Sequence, residues 1–274
     1  MNRIDLTFRD LRAQRRAALI PFLTAGDPDM DTTRELMHAA VDNGADLIEI
    51  GVPFSDPTAD GPVLQRSLEI GLRSGASLAR VLELIADFRR HSAVPIILYG
   101  YYNPIFHYGP QRFAADARQA GVDGLLVVDL PPEEVHELLP WMKPDLHFIF
   151  LLAPTSGAER VRQIVRAASG FVYYVSVTGV TGVRPMLVDA VRPAVERLRT
   201  VTALPIGIGF GITTPEQAAA VAQFADAVVV GSAIMRVVDQ HRGTPLVVAE
   251  VATFIRRMKE GMRNGVPVTA PHSA

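Results

Sequence analysis

Eight short apolar runs, each followed by a stretch with helical periodicity, constrain this chain more than any other feature. The runs occupy residues 18–24, 47–51, 96–100, 125–129, 147–151, 172–176, 205–210 and 227–231. Several are apolar at successive positions, as in Leu125-Leu126-Val127-Val128 and Val228-Val229-Val230. Strands buried on both faces read this way, because a parallel sheet carries helices outside it. Eight β/α repeats in 274 residues match a closed (β/α)8 TIM barrel in number and in length. The alternative, an open doubly wound sheet, usually needs fewer strands, and no GxGxxG follows the first one.

The segments between the runs carry helix signals. Thr32 with Glu35 predicts a capping box, and Leu36, Met37, Ala40 and Val41 then form one stripe before Gly44. Thr214, Pro215 and Gln217 repeat the start signal, as do Thr244 and Pro245 before a helix that should stop near Gly261. Further helices are expected over 78–88, 110–119, 132–139, 158–168 and 187–199. An extra N-terminal helix, with Ile4, Phe8 and Leu11 on one face, precedes the first strand. The expected organisation is one barrel domain over 1–261 and a flexible tail over 262–274, where Pro267 and Pro271 stand in polar surroundings.

Composition narrows the function. An apolar fraction of 49%, a charged fraction of 20% and a net charge of −2 describe a globular chain without the basic footprint of a nucleic-acid binder. Clusters such as Arg256, Arg257 and Lys259 read as solvated helix faces. The absence of cysteine removes disulfides, thiolate catalysis and Cys-based metal sites. The seven histidines show no metal spacing, so no metal is expected. The charged first 16 residues lack a signal-peptide core, and no apolar run is long enough to span a membrane; a cytoplasmic location is expected.

Barrel chemistry sits where strand C-termini meet the loops that follow. Glu49 lies in Ile48-Glu49-Ile50-Gly51, with apolar neighbours on both sides. A carboxylate there must be paired or must tolerate a raised pKa. The loop 52–62 holds Asp56 and Asp60 between prolines 53, 57 and 62. Either aspartate can cap a turn or join Glu49, and two carboxyls in different environments divide acid and base work. Gly207, Gly209 and Gly211 surround strand seven, and Gly231-Ser232 closes strand eight. A short helix over 232–238 would then present free backbone N–H groups to a phosphate. Two glycines and two threonines in 178–184 suit a loop that closes over substrate.

Together these stretches resemble the tryptophan synthase α-subunit family. Residues 46–62, DLIEIGVPFSDPTADGP, look like its two-carboxylate signature. GYYNP at 100–104, DLP at 129–131, TGVTG at 178–182, GFGI at 209–212 and GSAI at 231–234 follow in family order. The resemblance covers about residues 15–260 and implies cofactor-free cleavage of indole-3-glycerol phosphate to indole and glyceraldehyde 3-phosphate. It implies Glu49 as acid–base residue and Asp60 as the acceptor of the indole N–H. Phe22, Tyr99, Tyr173, Thr181 and Phe210 would border the indole, and Gly182, Gly211, Gly231 and Ser232 the phosphate. The implied partner is a β subunit carrying pyridoxal phosphate (PLP) in an α2β2 heterotetramer that receives indole, with Pro53, Asp56 and Asp129 on the communicating side.

Two positions depart from the family pattern. Tyr99 stands where methionine or leucine is expected, and Thr58 where leucine is usual. Neither belongs to the acid–base pair. The rival readings are another phosphate-binding barrel, a lyase that releases free indole without a partner, and a non-catalytic subunit. No lysine precedes Lys143, which weighs against a Schiff-base aldolase.

Overall fold

A computed structural model describes residues 1–142, 144–175, 186–209 and 211–264. Eight parallel strands close into a barrel in simple sequential order, the last pairing with the first. They are β1 (Ala18–Thr24), β2 (Ile48–Gly51), β3 (Ile96–Gly100), β4 (Gly124–Val127), β5 (His147–Leu152), β6 (Val172–Val175), β7 (Ile206–Gly209) and β8 (Ala227–Val230). Each predicted run overlaps its strand, with ends that agree or differ by one or two residues: β4 begins one residue before its run and β5 ends one residue after. Residues 176 and 210, predicted to end the sixth and seventh strands, lie outside the described residues.

The helices are α1 (Arg3–Ala13), α2 (Met30–Asp42), α3 (Pro62–Arg73), α4 (Leu78–Phe88), α5 (Tyr102–Tyr108) and α6 (Pro110–Ala120). After them come α7 (Leu139–Met142), α8 (Ala158–Ala167), α9 (Met186–Arg199), α10 (Pro215–Ala222), α11 (Ser232–His241) and α12 (Val247–Asn264). Two of them, α3 and α5, were not among the expected helices, and Pro62 was expected to close a loop. In α3, Pro62 instead takes the first helical turn, where its missing N–H leaves no carbonyl without a partner.

Several boundaries differ from expectation for local reasons. The cap of α2 is Asp29, not Thr32: its Oδ1 accepts the Thr32 N–H at 2.7 Å and its Oδ2 the Thr32 hydroxyl at 2.9 Å. A carboxylate can take both donors, so the helix starts a turn earlier than the Thr–Glu spacing predicts. The helix expected over 132–139 is broken into a 3-10 turn, Val135–Glu137, and the one-turn α7. Thr214 and Gln217 do form the predicted capping box. The last helix begins at Val247, past Pro245, and continues beyond Gly261 to Asn264.

Strand alternation sorts the core into two layers. Leu19, Leu23, Ile48, Ile50, Leu98 and Val228 point outward into the cluster shared with the helices. Ala18, Ile20, Leu47, Ile97, Leu126, Ile149, Phe171, Ala227 and Val229 fill the barrel interior together with Ile4, Phe8 and Leu11 of α1. The N-terminal helix therefore plugs one mouth, its apolar stripe turned into the barrel. Asn2 caps it and also donates to the backbone carbonyls of Asp123 and Asp145. The other mouth, at the strand C-termini, stays available for polar side chains.

Ion pairs tie the outer helices to the sheet. Lys259, expected on a solvated face, is 4% exposed and pairs with Asp46, two residues before β2. Asp46 also accepts the Leu19 N–H at 2.7 Å, which joins α12, β1 and β2. Arg256 and Arg257 are exposed as predicted. No helix of the described residues is long and apolar enough to cross a membrane.

Candidate active site

The interior positions of the strands bring the site together. Two residues beyond Ile20, Leu47, Ile97 and Phe171 stand Phe22, Glu49, Tyr99 and Tyr173, on the same face and nearer the open mouth. Phe22 is in register with Glu49 across β1 and β2, and Gly51 with Tyr99 across β2 and β3. A Cβ on Gly51 would come within 2.5 Å of the Phe22 ring, so glycine there lets the ring lie across β2. Phe22 meets Tyr99 edge to face, with centroids 5.2 Å apart. Tyr173 covers β7 in the same way: a Cβ on Gly209 would lie 2.0 Å from its hydroxyl.

Glu49 is 2% exposed, and no donor among the described residues reaches its Oε1. Burial, and then the charge of Asp60, push its carboxyl up to about 8. Asp60 is also buried, at the end of the proline-bounded loop. Its Oδ1 accepts the Tyr99 hydroxyl and its Oδ2 the Tyr101 hydroxyl, each at 2.7 Å. Burial raises the Asp60 carboxyl as well, while these two hydrogen bonds act in the opposite direction.

The loop is shaped by its own backbone. The Thr58 N–H donates to the Asp56 carbonyl, the Asp60 N–H to the Pro57 carbonyl, and Gln65 of α3 to the Asp60 carbonyl. Tyr101 fastens the loop to β3, since its hydroxyl accepts the Ala59 N–H at 3.0 Å and its ring packs on Phe54. Sequence reading passed over Tyr101. The signal was strand parity: it lies two residues beyond Tyr99 on the interior face. It also passed over Asp27, fully buried between Ser67 of α3 and Arg242 after α11. That aspartate braces α3 and α11 against the loop after β1.

Phe22, Glu49, Asp60, Tyr99 and Tyr173 thus converge on one mouth of the barrel. Gly231 and Ser232 open α11, which runs to His241 instead of ending near Val238, and no side chain caps its N-terminus. Gly211, with φ of +76°, turns the chain after β7. Thr181, Gly182, Phe210 and the 178–184 loop lie outside the described residues. Pro53 is buried, whereas Asp56 and Asp129 are exposed, and Asp129 accepts the Tyr102 N–H at 2.8 Å. Pro53, Phe54, Leu72, Leu78, Pro104 and Tyr108 line part of an open groove of about 450 Å³ beside the site. Among the described residues no cluster of three or more His, Cys, Asp or Glu has metal-site geometry.

A family model described as tryptophan synthase alpha chain matches residues 8–263. The chain belongs to the tryptophan synthase alpha chain family. It is 49% identical over 264 residues to the alpha chain of Geotalea uraniireducens (strain Rf4), covering 96% of this chain and 98% of that one. The alpha chain of Gluconacetobacter diazotrophicus is 51% identical over 272 residues, with 96% and 99% covered. The crystal structure of tryptophan synthase subunit alpha from Legionella pneumophila str. Paris superposes with a TM-score of 0.89 at 39% identity, covering 96% and 99% of the two chains. Membership makes the protein a carbon–carbon lyase of tryptophan biosynthesis, with the aldol-cleavage activity of the family.

Proposed function

We propose that the substrate is indole-3-glycerol phosphate and that Glu49 and Asp60 divide its cleavage between them. The observation that carries this reading is the contrast between the two buried carboxyls: among the described residues Glu49 Oε1 has no partner and burial pushes the carboxyl up to about 8, while Asp60 is held by two hydroxyl donors. Protonation of indole C3 by neutral Glu49 interrupts the aromatic ring and places positive charge on the ring nitrogen. Ionised Asp60 accepts that N–H and balances the charge. Glu49, now a carboxylate, takes the proton of the adjacent side-chain hydroxyl. The O–H electrons form the aldehyde C=O, and the electrons of the breaking carbon–carbon bond restore the indole. The proton balance closes: one proton enters at C3 and one leaves the hydroxyl, both through Glu49.

Phe22, Tyr99 and Tyr173 would form the apolar wall around the ring, with Thr181 and Phe210. The uncapped N-terminus of α11 at Gly231 and Ser232 would receive the phosphate with Gly182 and Gly211, where unspent N–H groups and the helix dipole favour an anion. The chemistry assigned to this chain needs no cofactor. Its partner would be a PLP-dependent β subunit in an α2β2 assembly that takes up the indole. Pro53, Asp56 and Asp129 would face it beside the apolar groove. A cytoplasmic location belongs to the same reading.

Indole release from indole-3-glycerol phosphate tests it, measured for the full chain alone and with β subunit. Slow release alone and much faster release with β subunit is the expected result; no indole under either condition overturns it.

A further inference from the structure

The hydrogen bonding around the two carboxyls is one-sided. Burial drives both Glu49 and Asp60 toward the neutral form, so burial by itself does not decide which holds the proton. Both phenols that reach the pair donate to Asp60, and no described donor reaches Glu49 Oε1. The two tyrosines are not equivalent. Tyr101 has a second task, since it accepts the Ala59 N–H and packs on Phe54 to hold the loop. Among the described residues Asp60 Oδ1 is the only hydrogen-bond partner of the Tyr99 hydroxyl. The Tyr99 ring packs on Phe22, a contact that an unbranched apolar side chain could also make.

We infer that Tyr99 is a positioning residue which, by donating to Oδ1 of Asp60, fixes the charge on Asp60 and leaves the proton on Glu49. The inference rests on the cleavage reading above and assigns Tyr99 more than a place in the pocket wall. A phenol hydrogen bond favours the carboxylate it donates to, because the acceptor oxygen carries more charge when ionised. Oδ1 keeps a second lone pair, so an indole N–H can be accepted alongside the phenol. Beside burial, Tyr99 and Tyr101 act on Asp60 and Asp60 acts on Glu49; Tyr173 of the sixth strand faces the pair and is itself raised by both carboxyls. Among the described residues no Lys, Arg or His shifts either carboxyl. The hydroxyls therefore do the work that a cation does in other carboxylate pairs.

The test uses the full chain and its Tyr99→Phe variant, which keeps the ring and removes the hydroxyl. The Asp60 carboxyl is followed through a pH titration by carbon NMR with 13Cγ-aspartate, its signal assigned with Asp60→Asn. Loss of one charge-assisted hydrogen bond should raise the midpoint by about one pH unit. An unmoved midpoint overturns the inference. In the pH profile of indole release, the acid limb should move up while the alkaline limb, set by Glu49, stays. On the acid side kcat should fall about tenfold, with KM changed less than about twofold. A rate scaled down equally at every pH would mean that the tyrosine only packs, and would also overturn it. Tyr99→Met, lacking ring and hydroxyl, should share the acid-limb shift; a parental acid limb in that variant counts against the hydroxyl. If the parent releases no indole but the Asp60 midpoint still moves, the cleavage reading fails and the hold on Asp60 stands. If indole is released and the midpoint does not move, the cleavage reading stands and the role of Tyr99 fails.

Discussion

A buried carboxyl short of donors is costly to ionise, and among the described residues none reaches Glu49 Oε1. Its ordinary value of 4.5 rises to about 8 in the folded chain. The folded state therefore holds this proton more tightly than the unfolded state does. Below pH 4.5 both states are protonated and Glu49 does not affect stability. As pH rises from 4.5 to about 8 the unfolded chain ionises first, so this group progressively lowers stability, and the loss is complete above about 8. Replacing Glu49 with Gln should abolish indole release while leaving substrate bound. The same variant should melt higher than the parent, by a margin that widens from pH 5 toward pH 8. Parental turnover in Glu49→Gln would mean that the acid–base role lies elsewhere; a melting difference flat with pH would mean that the Glu49 carboxyl is not held neutral by the fold.

The strands transmit the site through pairs of a large residue and a glycine. Tyr173 of β6 lies over Gly209 of β7, and the ring of Phe22 over Gly51 of β2. An added methyl at Gly209 would stand 2.0 Å from the Tyr173 hydroxyl, so the ring must move into the pocket. Gly209→Ala should fold and yet lose about 100-fold in kcat/KM, the scale expected of a misplacement near 1 Å. Gly100→Ala makes the matched control, because its Cβ would meet Val52 at an ordinary 3.5 Å. Equal activity of the two variants would show that the Tyr173 ring does not border the substrate. At this scale the strands were legible in advance, since each buried strand is a run of apolar residues. The helices α3 and α5 were not: their starts at Pro62 and Tyr102 have no side-chain cap, so the sequence carries no start signal beyond the proline. Asp29 displaced Thr32 as a cap because its two carboxylate oxygens take both the N–H and the hydroxyl of Thr32, which leaves Thr32 inside the first turn.

In the molecule as a whole, the two mouths of the barrel have opposite tasks. One is plugged by α1, where Phe8 packs on Phe171 with centroids 5.6 Å apart. Phe171 lies two residues before Tyr173, so the plug supports the floor on which the pocket stands. Around it, Asp123 accepts from Arg3 of α1 at 2.9 Å, from Arg89 at 2.6 Å and from the Ile96 N–H at 2.8 Å. Phe8→Ala should cost about 3–5 kcal/mol of stability in urea unfolding. Indole release should survive wherever the variant is folded, because no polar group of the site is touched. A loss below about 1 kcal/mol would mean that the helix adds little to the closed barrel.

From its order of residues alone the chain specifies eight buried strands, the helices between them and a carboxylate set among apolar neighbours in the second strand. These are local properties: periodicity of two or 3.6 residues, and the cost of a charge among hydrocarbon side chains. The family resemblance then supplied the pairing of Glu49 with Asp60. Only the tertiary structure decided what holds each carboxyl. Asp60 and the tyrosines 99 and 101 lie about 40 positions apart, joined across β3 at 2.7 Å. Lys259 meets Asp46 across 213 positions and is buried where its clustering with Arg256 and Arg257 suggested solvent. Such partners are set by barrel closure and strand register, which bring distant segments to one mouth, and nothing in the local pattern of either segment encodes the other's distance or direction.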